Sequence, residues 1–190
     1  TKEQQGLIRM LGIHPPRKAV GGFLTEVLMS GADPQLRKEA ALYVGRHPGS
    51  KTVPLLAATA RKDPSAAVRR YAVLGLAEIN AETAVDALIG LAREDGDVGV
   101  RKTAIASLGD IACRKSLTTL ADLAVEDEFT QIQKRAVYAL ADLPRNDGIP
   151  IVIRIARTHS KYPVRRCAIY CLGESDDPGA LQTLIDIIRE

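Results

Sequence analysis

Apolar residues recur along this chain with the 3.6-residue period of amphipathic helices, and the whole pattern repeats every 32 residues. A short signature marks each copy: Leu36-Arg37-Lys38, Val68-Arg69-Arg70, Val100-Arg101-Lys102, Ile132-Gln133-Lys134 and Val164-Arg165-Arg166. Counting from the first residue of each signature, position 4 is always alanine: Ala40, Ala72, Ala104, Ala136 and Ala168. Position 8 holds Val44, Leu76, Leu108, Leu140 or Leu172, and position 9 holds only small residues: Gly45, Ala77, Gly109, Ala141 and Gly173. The second half of each unit keeps step, with Val53, Val85, Leu117, Ile149 and Leu181 at position 17 and Leu56, Leu88, Leu120, Val152 and Leu184 at position 20. Apolar positions 0, 4, 5 and 8, then 17, 20, 21 and 24, predict two helices per unit. The small residues at positions 4 and 9 let paired helices approach closely.

Turn formers separate the helices. His47-Pro48-Gly49-Ser50, Asn80, Pro144-Arg145-Asn146-Asp147 and Asp176-Asp177-Pro178 fall within units, the last suiting an Asp cap with Pro in the first turn. Asp63-Pro64 and Asp95-Gly96-Asp97 fall between units. The N-terminal stretch fits as a sixth, divergent unit with its anchor at Glu3. Leu7, Ile8, Leu11 and Gly12 then take positions 4, 5, 8 and 9, and Val20, Phe23, Leu24 and Val27 take positions 17, 20, 21 and 24. One extra residue sits near Ser30-Gly31-Ala32. One hairpin cannot bury its apolar face alone, so the units must stack. The expectation is an all-α, right-handed α-α superhelix of about six repeats, near residues 1–32, 33–64, 65–96, 97–128, 129–160 and 161–190, forming one solenoid domain. With no polar cap after Arg189-Glu190, it reads as a fragment of a longer protein.

Composition agrees. Alanine (26) and leucine (21) dominate while aromatics make up 4% and tryptophan is missing, which favours close-packed helices over a β-sandwich. No apolar run reaches the ~18–20 residues of a membrane span. Three cysteines, an odd number, exclude a complete disulfide framework and favour a reducing compartment, so a cytoplasmic location is expected. A net charge of +3 does not by itself imply nucleic acid.

Units carrying Val-Arg-Arg, then Ala, then Leu-Gly resemble HEAT repeats, in the short bacterial form also found in phycobilin lyase subunits. Val164 to Leu184, which reads Val-Arg-Arg-Cys-Ala-Ile-Tyr-Cys-Leu-Gly-Glu-Ser and then Asp-Pro-Gly-Ala-Leu, resembles HEAT domains of large bacterial regulatory and envelope-associated proteins. The resemblance runs strongly from Asp33 onward and weakly before it. It implies a protein-binding scaffold whose second helices line a concave face. It also implies that the first Arg of each basic pair meets acidic residues of adjoining turns, among them Asp33, Asp63, Asp97 or Asp127.

Several constellations were weighed as sites. The basic pairs form a ladder, cationic at nine of ten positions, that a phosphate backbone would suit; pairing within the fold is the stronger reading. Glu78, Asp110, Asp142 and Glu174 form an acidic series at position 10, broken by Arg46, with one carboxylate per layer and hence no cation cage. Cys167 and Cys171 lie one helical turn apart, but zinc needs four ligands and no second Cys/His pair follows. His14, His47 and His159 fall near helix ends, which suggests surface roles. Tyr138 and Tyr170 share a column and are placed to stack. No His-Glu dipeptide, nucleophile elbow or phosphate-binding loop occurs, so no catalytic residue, metal or cofactor is expected. The remaining candidate is the polar surface of the second helices, Asp86, Arg93, Asp122, Arg154, Arg157, Asp186 and Arg189, which varies from unit to unit while the core columns do not. It predicts a non-catalytic scaffold binding a protein or peptide, with nucleic-acid binding through the ladder or a lyase-like subunit as alternatives.

Overall fold

The computed structural model describes residues 1–30, 33–79 and 82–189, without the side chains at 82 and 83. Asn80, the Gly31-Ala32 insertion and Glu190 therefore lie outside the described residues. Twelve α-helices and no strand are found among the residues described. Helix contacts divide the chain into two compact units, Thr1–Ser107 and Leu108–Glu190.

In the first unit run α1 (Lys2–Gly12), α2 (Lys18–Met29), α3 (Pro34–Arg46), α4 (Thr52–Lys62), α5 (Ala66–Ile79), α6 (Glu82–Glu94) and most of α7 (Val98–Ile111). The second unit takes the end of α7, then α8 (Arg114–Glu126), α9 (Thr130–Ala141), α10 (Ile149–Thr158), α11 (Tyr162–Gly173) and α12 (Pro178–Arg189), with a 3-10 turn at Pro144–Asn146. The helices thus fall in the six pairs that the 32-residue period predicts.

Aspartate caps open several helices, including the one expected before Pro178. Asp33 accepts from the Gln35 amide at 2.6 Å with Pro34 opening α3, and Asp97 accepts from the Val100 amide at 2.9 Å. Asp177 accepts from Gly179 and Ala180 at 2.8 and 3.3 Å, satisfying amides that an uncapped helix start would leave without partners.

The five alanines of position 4 are fully buried, as are Leu76, Leu108 and Leu140 of position 8. Close approach is set by position 9 of one first helix meeting position 7 of the next. A methyl group on Gly45 would strike the carbonyl of Gly75, one on Gly75 would strike the carbonyl of Ala41, and one on Gly12 would enter the ring of Tyr43. In the second unit the contact is looser: a methyl on Gly109 would stand 3.3 Å from the Ala139 Cβ.

The outermost helices differ from the repeat expectation. Leu7 and Phe23, assigned to core columns, are 56% and 46% exposed, and Leu181 and Ile188 are 62% and 84% exposed. Leu7 and Phe23 line a cavity of about 510 Å³ with Leu11, Val27 and Leu36. No helix is long and apolar enough to cross a membrane among the described residues.

Candidate functional site

The first member of each basic pair is engaged by the fold. Arg37 donates two hydrogen bonds to Asp63 (2.9 and 3.0 Å), and Arg69 donates two to Asp95 (both 2.9 Å). Such forked pairing of guanidinium with carboxylate is the strong geometry for this charge pair. The partner of Arg69 is Asp95, not the Asp97 suggested by the resemblance, because Asp97 is turned to cap α7. Donating to Asp63 and Asp95 raises the two guanidinium pKa values further. Burial pushes the Asp63 carboxyl upward, but bonds from Arg37 and the Ser65 amide outweigh this and hold it below its ordinary range.

Other arginines of this column also donate to backbone carbonyls. Arg101 donates to the Ala92 carbonyl at 2.8 Å, and Arg165 donates to the carbonyls of His159 and Ser160 at 2.6 and 3.0 Å. In the layer where glutamine replaces arginine, Gln133 donates to the Val125 carbonyl at 2.9 Å and faces His159 Nε2 at 3.4 Å. The sequence carried a signal for this that was missed: Asp63, Asp95, Asp127 and His159 each stand 26 residues after Arg37, Arg69, Arg101 and Gln133. Arginine with aspartate becomes glutamine with histidine at the fourth step.

Two histidines expected at the surface are buried: His47 and His159 are each 6% exposed. Both tie backbone together, since His47 Nδ1 accepts from the Arg17 amide at 3.1 Å and His159 Nδ1 from the Lys161 amide at 3.0 Å. Only His14 remains exposed.

The position 10 series stays at the surface, where Glu78 pairs with Arg46 at 3.0 Å. No group of three or more His, Cys, Asp or Glu residues that could hold a metal is found among the described residues. Cys167 and Cys171 are buried and reduced. A bond from Cys171, joined by one from Tyr138, outweighs burial and holds the Cys167 thiol down at about 7; the same bond, with burial, pushes Cys171 up. Tyr138 and Tyr170 are 36% and 61% exposed and line a cavity of about 350 Å³ with Lys134, Tyr162, Arg166 and Cys167.

The second-helix candidates separate by unit. Asp86 and Arg93 are exposed on α6 in the first. In the second, Arg154, Arg157 and Arg189 are exposed, while Asp122 and Asp186 are half-buried. Arg157 donates to Asp186 at 2.9 Å, and Gln182 braces the same carboxylate at 2.8 Å, holding Asp186 below the usual carboxyl range. Asp122 on α8 and Arg154 on α10 both line a groove of about 430 Å³, together with Val125, Glu126, Ile155 and Thr158. In the first unit, sequence reasoning missed a cavity of about 640 Å³ between the start of α2 and the 47–51 turn, lined by Arg17, Lys18 and Lys51 with no acidic residue. Its residues come from the N-terminal parts of α2 and α4 and the breakers that precede them, which helical periodicity does not relate.

Comparison with known proteins agrees with this architecture. The family model of HEAT repeats matches residues 22–109, 53–130 and 117–190. A chain in the solved complex of CpcE and CpcF of phycocyanin lyase from Nostoc sp. PCC7120 is similar in structure, with a TM-score of 0.59 and 22% identity over 82% of this chain and 99% of that one. The Escherichia coli protein YibA also has a TM-score of 0.59, with 18% identity over 97% of this chain and 68% of its own. At these identities the likeness shows the fold alone. Among curated proteins none matches the chain. The repeat period, the paired helices and the family match together place this chain among the HEAT-repeat proteins.

Proposed function

We propose that this chain is a non-catalytic scaffold that binds a protein or peptide along the second-helix face of its repeats. The observation that supports the reading is the α8–α10 groove, whose lining includes Asp122 and Arg154 beside polar Glu126, Thr158 and Ser160 and apolar Val125 and Ile155. An extended segment needs such polar partners along its length, and charges of both signs fix its register. Arg154 makes no side-chain ion pair or hydrogen bond among the described residues, so it is the anchor for a partner carboxylate. Arg157, held by Asp186, adds charge at the rim. Asp86 and Arg93 extend the same kind of surface in the first unit, with Arg189 at the end of α12. The three free thiols suit a reducing, cytoplasmic setting.

The alternatives have less behind them. The first column of the basic ladder is already bonded within the fold, which leaves a weaker stripe for nucleic acid. A lyase-like subunit rests on likeness of fold.

Panning a random peptide library against the protein tests the proposal. Peptides carrying an acidic residue should be enriched, their amide-exchange footprint should fall on α8 and α10, and Arg154→Glu should weaken them about tenfold or more, a loss of ~1.4 kcal/mol. Enriched peptides indifferent to Arg154→Glu and to Asp122→Lys would remove the site from this groove.

A further inference from the structure

Tyr138, Tyr162 and Tyr170 meet around the cavity of about 350 Å³ on α9 and α11, together with Pro163, Lys134 and Arg166. The chain has only five tyrosines and no tryptophan, so three on one cavity is a concentration of aromatic surface. Their spacing brings them there. Lys134 and Tyr138 are four residues apart on α9, and Tyr162, Arg166 and Tyr170 follow at intervals of four on α11, so each set runs along one side of its helix. Ring and cation thus alternate turn by turn. The rings are not packed away: Tyr162 and Tyr170 are 63% and 61% exposed. Tyr162 is nonetheless braced by the fold, because the Arg165 guanidinium lies over its ring at 5.7 Å while donating to the carbonyls of His159 and Ser160.

We propose that this trough binds single-stranded nucleic acid, with bases stacked on the tyrosines and phosphates held by Lys134 and Arg166. These two cations are second members of the basic ladder. Unlike the first members Gln133 and Arg165, which are bonded to carbonyls, neither makes a side-chain ion pair or hydrogen bond among the described residues. No acidic residue lines the cavity to neutralise them. Proteins that hold single strands without reading sequence combine these same two parts, a cationic track for the backbone and aromatic rings for the bases, since every base has a π-face.

Other occupants fit less well. A proline-rich peptide also docks on exposed rings, but it brings no charge to set against two unneutralised cations. A free nucleotide would be largely enclosed, as small ligands are buried by ~70–90% in their sites, whereas rings this exposed enclose little. Along α11 the order ring, cation, ring spans ~12 Å at 1.5 Å per residue, which suits a chain that alternates base and phosphate. A duplex keeps its base faces stacked on one another and could use only the cations. The trough shares no residue with the α8–α10 groove, so the inference stands apart from the peptide site.

Titration of the full chain with a short labelled oligothymidylate tests this, with affinity read by anisotropy and location by quenching of intrinsic emission. Without tryptophan that emission comes from tyrosine, and three of the five tyrosines stand in the trough, so it should fall on binding. Two phosphate contacts should give a slope of log affinity against log salt of about −1.4, at ~0.7 each on a single strand. Lys134→Gln with Arg166→Gln should flatten that slope toward zero. Tyr162→Leu with Tyr170→Leu should keep the slope and weaken binding about tenfold or more. An abasic strand, which keeps the phosphates and lacks the bases, should lose the same factor on the unmodified chain, so the test does not depend on a variant that folds. Arg154→Ala, in the other groove, should bind the strand as the parent does. No quenching at low salt, equal affinity for the abasic strand, a slope unmoved by the glutamine variant, or tighter binding of thymidine monophosphate, of a duplex or of a proline-rich peptide overturns the assignment.

Discussion

The repeats of Thr1–Ser107 close their inter-repeat turns with charge, as Arg37 grips Asp63 and Arg69 grips Asp95. In Leu108–Glu190 the corresponding layer uses a neutral pair, Gln133 beside His159. The backbone task is similar in both: Arg69 also donates to the Asp63 carbonyl at 3.1 Å, as Gln133 does to that of Val125 at 2.9 Å. What differs is how the second side chain completes the arrangement. The carboxylates of Asp63 and Asp95 also accept from the amides of Ser65 and Asp97 at 2.9 and 2.8 Å, so the pair folds the turn as well as neutralising the arginine. His159 takes over that role through Nδ1 and the Lys161 amide, but Gln133 Oε1 is left buried without a hydrogen-bond partner. A side-chain pair in this column is thus replaceable only as a pair. A buried ion pair contributes little beyond a neutral replacement of similar shape, whereas removing one partner strands the other.

That comparison is broken most severely by mixing the two solutions. Gln133→Arg alone places a cation beside a histidine, and His159→Asp alone buries a carboxylate without its arginine. Each should cost about 3 kcal/mol, and the double variant should return to within about 1 kcal/mol of the parent. Urea unfolding of the four proteins gives the coupling directly. Additive losses would mean that the two positions do not act as one layer.

The next effect concerns how closely first helices approach in the two units. Gly45→Ala sets a methyl against the Gly75 carbonyl, backbone on backbone, and should cost about 2–3 kcal/mol. Gly109→Ala meets only the Ala139 methyl at 3.3 Å, and its gain in helix propensity offsets the contact, so stability should stay within about 1 kcal/mol of the parent. Equal melting shifts for the two variants would show that the tighter spacing of α3 and α5 does not matter.

The smallest effect is electrostatic. Asp63 has a lower pKa folded than unfolded, so its contribution is fully present above the ordinary carboxyl value of ~3.9 and is lost as pH falls through the folded value. Asp63→Asn should therefore flatten the fall in stability that the parent shows as pH drops below the ordinary carboxyl value. Chemical unfolding of both proteins across that range checks this, and parallel curves would contradict it.

Helix number, pairing and core columns were legible in the sequence because a 32-residue period compares the chain with itself five times over. Ala40 and its equivalents recur since nothing larger fits, and Asp33 and Asp177 announce helix starts through their own local bonds. Periodicity says less in the first and last hairpins of this chain: Leu7 and Ile188 obey the core pattern yet are exposed. It is equally silent about turns, where His47 and His159 look like surface residues and are in fact buried ties.

The sequence alone therefore determined the repeat, its two helices and the residues of its core, all consequences of burying one apolar stripe every 3.6 residues. Tertiary structure alone decided which charges are bonded within the fold, and to what. Asp63 was a suspected partner from the start, but only packing shows that Asp95, not Asp97, meets Arg69, that Arg157 is held by Asp186, and that Arg154 stands over an open groove. Side chains far apart in the chain find one another only after backbone packing has fixed their distances. The 26-residue step shared by Arg37–Asp63 and Arg69–Asp95 becomes readable only once packing has shown one such bond, because a hydrogen bond depends on distances that position in the chain does not fix.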